Sequence, residues 1–184
     1  VSGVTFAGGL IIGLLLAETR LSRANERVLF GRGAIQPPGD VYRWMAVVYP
    51  VGFLAMIAEG AWRASAMPVV PPSGPMSVEG PAWAVSGIGL FAASKLLKYW
   101  AIASLGDRWT FKVIVEPGRP LVVSGPYAYI AHPNYVAVMG ELTGAAIWLG
   151  AVVTGPIGLA LFGLLLWRRL RFEERVLASS AAGS

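Results

Sequence analysis

Residues Leu105–Tyr135, LGDRWTFKVIVEPGRPLVVSGPYAYIAHPNY, form the longest stretch able to stay polar in an otherwise strongly apolar chain. The single histidine, His132, lies here in a His-Pro-Asn-Tyr run that follows Ser124-Gly125-Pro126-Tyr127. Phe111–Val115 and Leu121–Val123 are β-prone and flank Glu116-Pro117-Gly118-Arg119-Pro120, so an extended loop or a short β-hairpin is expected. Pro133 steers His132 away from helical dihedrals. His132 should therefore stand just before a helix, with Asn134 and Tyr135 in the first turn, where unpaired backbone N–H groups can receive a polar ligand. A lone histidine is more often a packing residue than a ligand. A helix start, several tyrosines and a membrane surface beside it shift the balance toward a site.

Outward from this stretch the chain is greasy. Of 184 residues, 55% are hydrophobic and 14% charged, with a mean hydropathy of +0.61. That composition excludes an ordinary soluble domain, and several apolar runs approach the roughly 20 residues a bilayer-crossing helix needs. There is no cysteine, which removes disulfides, thiolate metal sites and a cysteine nucleophile, and no metal site is expected. The net charge of +5 sits mostly beside apolar runs, as the positive-inside tendency requires. Basic and aromatic residues do not interleave on a soluble face, so nucleic acid is not expected as a partner.

The expected fold is all-α and membrane-embedded, a single domain over residues 1–184 with about five transmembrane helices. Residues 1–62 hold two spans, and residues 83–178 hold a third span and the core that carries the candidate site. The spans are Val4–Ala17 (running on toward Leu21), Tyr42–Trp62, Trp83–Leu105, Val136–Trp148 and Ala151–Trp167. The first lacks the basic leader and cleavage site of a signal peptide. The second carries interfacial Tyr42, Trp44 and Trp62 and a kink near Pro50. Gly150, Gly155 and Pro156 separate the last two into a tight hairpin. Glu18–Asp40, with Arg20, Arg23, Arg27 and Arg32, reads as an inner loop, and the near-neutral Arg63–Pro81 as an outer, structureless one. The N-terminus is then outside, with the central stretch and C-terminus cytoplasmic. Lys95 and Lys98 share a face of the third span. Snorkelling to headgroups is the favoured reading, the wall of an anionic pocket the other.

A second charged cluster, Arg168-Arg169-Leu170-Arg171-Phe172-Glu173-Glu174-Arg175, follows the last span, and Ala178–Ser184 is expected to fray. Arg169 and Glu173 share one helix face. As a surface ion pair they would contribute only about 0.3–0.5 kcal/mol. Opposite the central stretch, the same pair could offer an Arg to an anionic acceptor and a Glu to an amino-bearing cofactor.

LGDRWT, LVVSGPYAYIAHPNY, a helical hairpin and RRLRFEERVL, in that order, resemble the isoprenylcysteine carboxyl methyltransferase family, integral membrane enzymes that use S-adenosyl-L-methionine. The likeness covers roughly the C-terminal half; the first two spans match only in character. Glu18, Ser22, Asn25 and Gly33 also look like small bacterial members, some associated with methylating alkylpyrones or related polyketide lipids. The resemblance implies cofactor contacts at Lys112, Arg119, Pro120, Leu121, Val122, Tyr127, His132, Pro133, Asn134, Tyr135 and Glu173, and a substrate-side Arg169. It departs from the family at Ala131, where an arginine is usual. The implied reaction is in-line methyl transfer to an oxygen of a lipidic acceptor, a prenylcysteine-like carboxylate or an alkylpyrone or alkylresorcinol, entering from the bilayer of a bacterial inner membrane. A carboxylate needs no base at neutral pH; a neutral phenol would need one, with His132 and Glu174 as candidates. Membrane reductases of the steroid-reductase type, which use NADPH, and a non-catalytic protein on the same scaffold are the alternatives.

Overall fold

The computed structural model describes residues 2–66 and 81–182. Most of the expected outer loop, residues 67–80, lies outside the described residues. Five α-helices run up and down among the described residues: α1 (Ser2–Gly31), α2 (Tyr42–Ala66), α3 (Pro81–Leu105), α4 (Pro133–Leu149) and α5 (Thr154–Ala182). By length and composition α1, α2 and α3 can each cross a bilayer. α4 has only 17 residues, and α5 is apolar only as far as Trp167.

The boundaries differ from the sequence reading where polar residues find partners inside the bundle. α1 does not stop at Ala17 but continues to Gly31, so most of the supposed basic loop is helix. Its inner face beyond the apolar run is polar yet buried, with Glu18, Ser22, Asn25 and Glu26 all covered. Gly33, at φ 84°, then turns the chain in a conformation that suits glycine. α2 passes Pro50 without interruption. The α4–α5 turn is made by Gly150, in the left-handed conformation as the cap of α4, and the three residues after it. Gly155 and Pro156 fall inside the first turn of α5, where a proline is tolerated. At the far end α5 stays helical through Ala182, so Ala178–Ala182 is helix rather than frayed coil.

α3 and α4 pack almost backbone to backbone. A Cβ placed on Gly144 would lie 2.6 Å from the backbone N of Phe91, and one on Gly87 would lie 2.4 Å from that of Trp148. Gly140 and Gly144 sit one turn apart, the small-xxx-small spacing by which helices approach closely in lipid. Around this pair Phe53, Met56, Leu142, Ala145 and Leu149 are buried. The Tyr49 ring meets Phe53 edge-on and Phe162 tilted, both at 5.0 Å.

The snorkelling reading of Lys95 and Lys98 is overturned. Both are buried, at 7% and 0% exposure, together with Glu18 at 2% and Glu141 at 0%. Lys95 Nζ lies 2.5 Å from Glu18 and 2.9 Å from Glu141. Lys98 Nζ lies 2.9 Å from Glu18 and 3.0 Å from Glu141. The Tyr49 hydroxyl donates to Glu141 Oε2 at 2.5 Å. Two cations and two anions from α1, α3 and α4 thus neutralise one another, where a lone charge among apolar helices would be prohibitive.

Candidate functional site

Among the described residues, α1 and the α1–α2 loop hold the central stretch in place. Asn25 Nδ2 donates to the carbonyls of Gly106 and Trp109 at 3.2 and 2.8 Å. Ser22 Oγ accepts from Phe111 N at 2.9 Å, and Glu26 pairs with Lys112 at 2.7 Å. Asp40 serves two segments: its carboxylate accepts from Tyr42 N, at the start of α2, and from Val113 N. These contacts decide between the two forms expected of the central stretch. Phe111–Val115 and Leu121–Val123 do not pair as a hairpin. Val115 instead forms an antiparallel bridge with Ile35, through bonds of 2.8 and 2.9 Å, and the rest is loop. Leu121–Val123 follows Pro120, which has no N–H to donate.

The loop walls a cavity of about 260 Å³ bordered by Arg108, Thr110, Lys112, Leu121, Tyr127 and His132 and closed by Pro133, Asn134, Tyr135, Arg169 and Glu173. His132 stands immediately before α4 with φ −132° and ψ 67°, as the following proline demands. Its ring stacks on Tyr135 at 5.4 Å. The backbone N–H of Tyr135 is not free for a ligand, because it donates to the His132 carbonyl at 3.1 Å. Among the residues proposed from sequence, Lys112, Leu121, Tyr127, His132, Pro133, Asn134, Tyr135, Arg169 and Glu173 converge here. Arg119, Pro120 and Val122 do not border the cavity: Arg119 turns outward to Glu116 at 2.7 Å, and Pro120 uses its carbonyl to accept from Arg108. Glu174 is also misplaced. One residue beyond Glu173, it is rotated about 100° around the helix and lies with Trp167, Arg171 and Arg175 on an exposed face. Ala131 is exposed and outside the cavity wall, so the missing arginine leaves that wall intact.

Arg169 and Glu173 are more than a surface pair. Arg169 is only 5% exposed, and its Nε donates to Glu173 at 3.1 Å and to the Tyr135 hydroxyl at 2.9 Å. The Tyr135 hydroxyl also donates to Glu173, and Asp40 lies 3.9 Å from Arg169 Nη1. Burial acts to lower the Arg169 pKa, but Tyr135, Asp40 and Glu173 raise it above its ordinary value, so the guanidinium stays charged. Burial, reinforced by the charge of Glu173, pushes the Tyr127 phenol up to about 12.

A second cavity, about 240 Å³, adjoins the first and shares Thr110, Asn134 and Arg169 with it. Its remaining walls are mostly apolar: Leu15 of α1, Met45, Ala46, Tyr49 and Pro50 of α2, Val138 of α4 and Phe162 of α5, with Thr19, Arg23, Tyr42 and Phe111 beside them. The sequence reading singled out Arg169 but did not foresee Thr110 or Asp40. A Pro-Pro-Gly-Asp turn before an apolar run was the available signal for Asp40 as a helix cap.

The family model described as "Isoprenylcysteine carboxyl methyltransferase (ICMT) family" matches residues 87–179. Over 172 residues the chain is 29% identical to a Bacillus subtilis (strain 168) protein described as "Uncharacterized protein YpbQ", covering 91% of this chain and 95% of that one. Over 176 residues it is 24% identical to a Haemophilus influenzae (strain Rd) protein described as "Uncharacterized protein", covering 95% and 94%. No solved structure matches. The matched segment contains every residue bordering the first cavity, whereas the second borrows walls from α1 and α2 outside it. With three apolar helices long enough to span a bilayer and this match, the chain is a multi-pass membrane protein that belongs to the isoprenylcysteine carboxyl methyltransferase family, a family of membrane methyltransferases.

Proposed function

We propose that the protein transfers a methyl group from S-adenosyl-L-methionine to an oxygen of a lipidic acceptor. The observation that carries this is the meeting of a polar and an apolar cavity at one shared wall, Thr110, Asn134 and Arg169. A two-substrate reaction between a water-soluble donor and a lipid needs that arrangement, because proximity in a dry, oriented site supplies much of the rate.

The residues of the first cavity fit the donor. When bound, S-adenosyl-L-methionine supplies an activated methyl group on a cationic sulfur. Glu173 Oε1 is occupied by Tyr135 and Arg169, while Oε2 makes no hydrogen bond among the described residues and has His132 Nδ1 3.8 Å away. That oxygen would receive the ammonium of the donor. Lys112 and Asn134 would hold its carboxylate, and the rings of Tyr127, His132 and Tyr135 offer flat surfaces for the adenine. The cations suit a dinucleotide phosphate less well. Glu26 and Glu173 already balance Lys112 and Arg169, which leaves Arg108, held by the neutral Pro120 carbonyl, as the one cation of this cavity without a carboxylate partner among the described residues. One donor carboxylate suits that balance better than the several phosphates of NADPH.

Arg169, charged and fixed between two cavities, would orient an acceptor oxygen. A carboxylate or an ionised enol arrives without its proton and needs no base; a neutral phenol would deliver its proton to His132, since Glu174 faces away. The acceptor tail would enter sideways from the bilayer between α1 and α2. The N-terminus lies outside in this reading, with the site at the cytoplasmic face of a bacterial inner membrane. The test is calorimetric binding of S-adenosyl-L-methionine and S-adenosylhomocysteine to detergent-purified protein, with NADPH as control, then mass analysis of alkylpyrone, alkylresorcinol and prenylcysteine acceptors. Donor binding with a 14 Da gain on an acceptor is expected. Binding of NADPH alone would move the protein to the reductases.

A further inference from the structure

Arg23 is the second cation of the apolar cavity. It lies on α1, borders the cavity with Thr19 and Tyr42, is exposed, and has no hydrogen bond or ion pair among the described residues. Several other polar groups nearby are occupied. Thr19 Oγ1 donates to the Leu15 carbonyl, Thr110 Oγ1 to that of Lys112, and Phe111 N to Ser22. Arg169 is buried and spends its Nε on Tyr135 and Glu173. The cavity therefore offers an entering molecule one held cation at its inner wall and one free cation on α1.

An exposed arginine on a membrane helix is ordinarily a snorkelling headgroup contact. The contrast within α1 argues for more here. Arg20 and Arg27 are also exposed and also unpaired among the described residues, yet neither borders either cavity. Beside an apolar wall the effective dielectric is low and a charge acts more strongly. The planar guanidinium also matches negatively polarised oxygens in a fixed geometry.

Resting on the methyl-transfer reading above, we infer that Arg23 is a specificity-determining residue for the acceptor. It selects lipids whose head carries a second negatively polarised oxygen, separated from the oxygen that is methylated beside Arg169. An enolic ring with a carbonyl or second hydroxyl fits this class. A head with one isolated oxygen function engages Arg169 alone.

Two acceptors with the same alkyl tail separate the possibilities: a 4-hydroxy-2-pyrone, with two oxygen functions, and a simple alkylphenol, with one. Steady-state kinetics and S-adenosylhomocysteine affinity are measured on full-length wild type, Arg23→Gln and Arg27→Gln. Arg27→Gln removes the same charge one turn away on α1. Arg23→Gln is expected to lower kcat/KM for the pyrone at least about tenfold, as loss of a hydrogen bond to a charged group does, mainly through KM. Its rate on the alkylphenol and its S-adenosylhomocysteine affinity should stay at wild-type values, and Arg27→Gln should match wild type throughout. Equal losses in the two variants, or equal losses on the two acceptors, reduce Arg23 to a surface charge and overturn the inference. Wild-type protein that binds no S-adenosylhomocysteine, or methylates neither acceptor, overturns the underlying reading and this inference with it.

Discussion

The carboxylate of Glu18 and the ammonium of Lys98, from α1 and α3, meet at 2.9 Å inside the helical bundle. Lys98 also reaches Glu141 of α4 at 3.0 Å, so one side chain ties three helices together. Breaking such a pair from one side leaves an uncompensated buried charge, which in proteins destabilises by about 3–5 kcal/mol. Lys98→Met should therefore lower the thermal midpoint in detergent sharply. Adding Glu18→Gln, which removes the stranded carboxylate, should recover part of the loss. Equal midpoints for wild type and Lys98→Met would show that the cluster does not hold the helices.

The α3–α4 contact yields a prediction with its own control. A methyl on Gly144 would fall 2.6 Å from the Phe91 backbone, whereas one on Gly89 meets nothing within 4 Å. Gly144→Ala should force the helices apart and destabilise by roughly 1–3 kcal/mol, as overpacking does. Gly89→Ala should be neutral or gain up to about 1 kcal/mol from helix propensity. Thermal unfolding of the two variants side by side decides this.

Neighbouring acids should behave oppositely. Glu173 borders the polar cavity and holds Arg169 at 3.1 Å, while Glu174 faces outward beside Trp167. Glu173→Gln should weaken S-adenosylhomocysteine binding about tenfold or more, the effect of losing a charge-assisted hydrogen bond. Glu174→Gln should leave it unchanged. Calorimetry on both variants reads the difference, and equal affinities would remove Glu173 from the donor site.

Asp40 joins the start of α2 to the wall of the polar cavity through Tyr42 N at 3.0 Å and Val113 N at 3.1 Å. Asp40→Ala should cost about 1 kcal/mol through loss of the cap alone. It should also free the loop around Val113, so limited proteolysis there should accelerate beyond what the lower midpoint explains. Unchanged cleavage would mean that the Ile35–Val115 bridge suffices to hold the loop.

What the sequence disclosed depended on how local the cause was. Pro133 dictates the conformation of His132 through its own ring, and the helical period alone puts Arg169 and Glu173 on one face. Both features were legible. The lysine pair on α3 was not, because its meaning lies in Glu18, 77 and 80 positions away, and in Glu141 on α4. A single acid in an apolar run flagged an unmet need without naming its partner. The β-prone Phe111–Val115 was misleading in the same way: its outer residue found Ile35, and Asp40 took the Val113 N–H. Motif resemblance pointed to Glu173 alone; Glu174 entered as a candidate base by its nearness in sequence, and the one-residue rotation that turns it outward matters only once the facing wall exists.

The buried charge cluster also draws its members from helices that are synthesised one after another. α1 enters the membrane carrying Glu18, and its two counter-ions arrive only with α3. Until then Glu18 lacks both of the lysines that answer it in the folded bundle. α3 in turn brings more positive charge than Glu18 can balance, and the excess is relieved only when Glu141 follows on α4. Among these four side chains, charge balance is reached only once α1, α3 and α4 are all present.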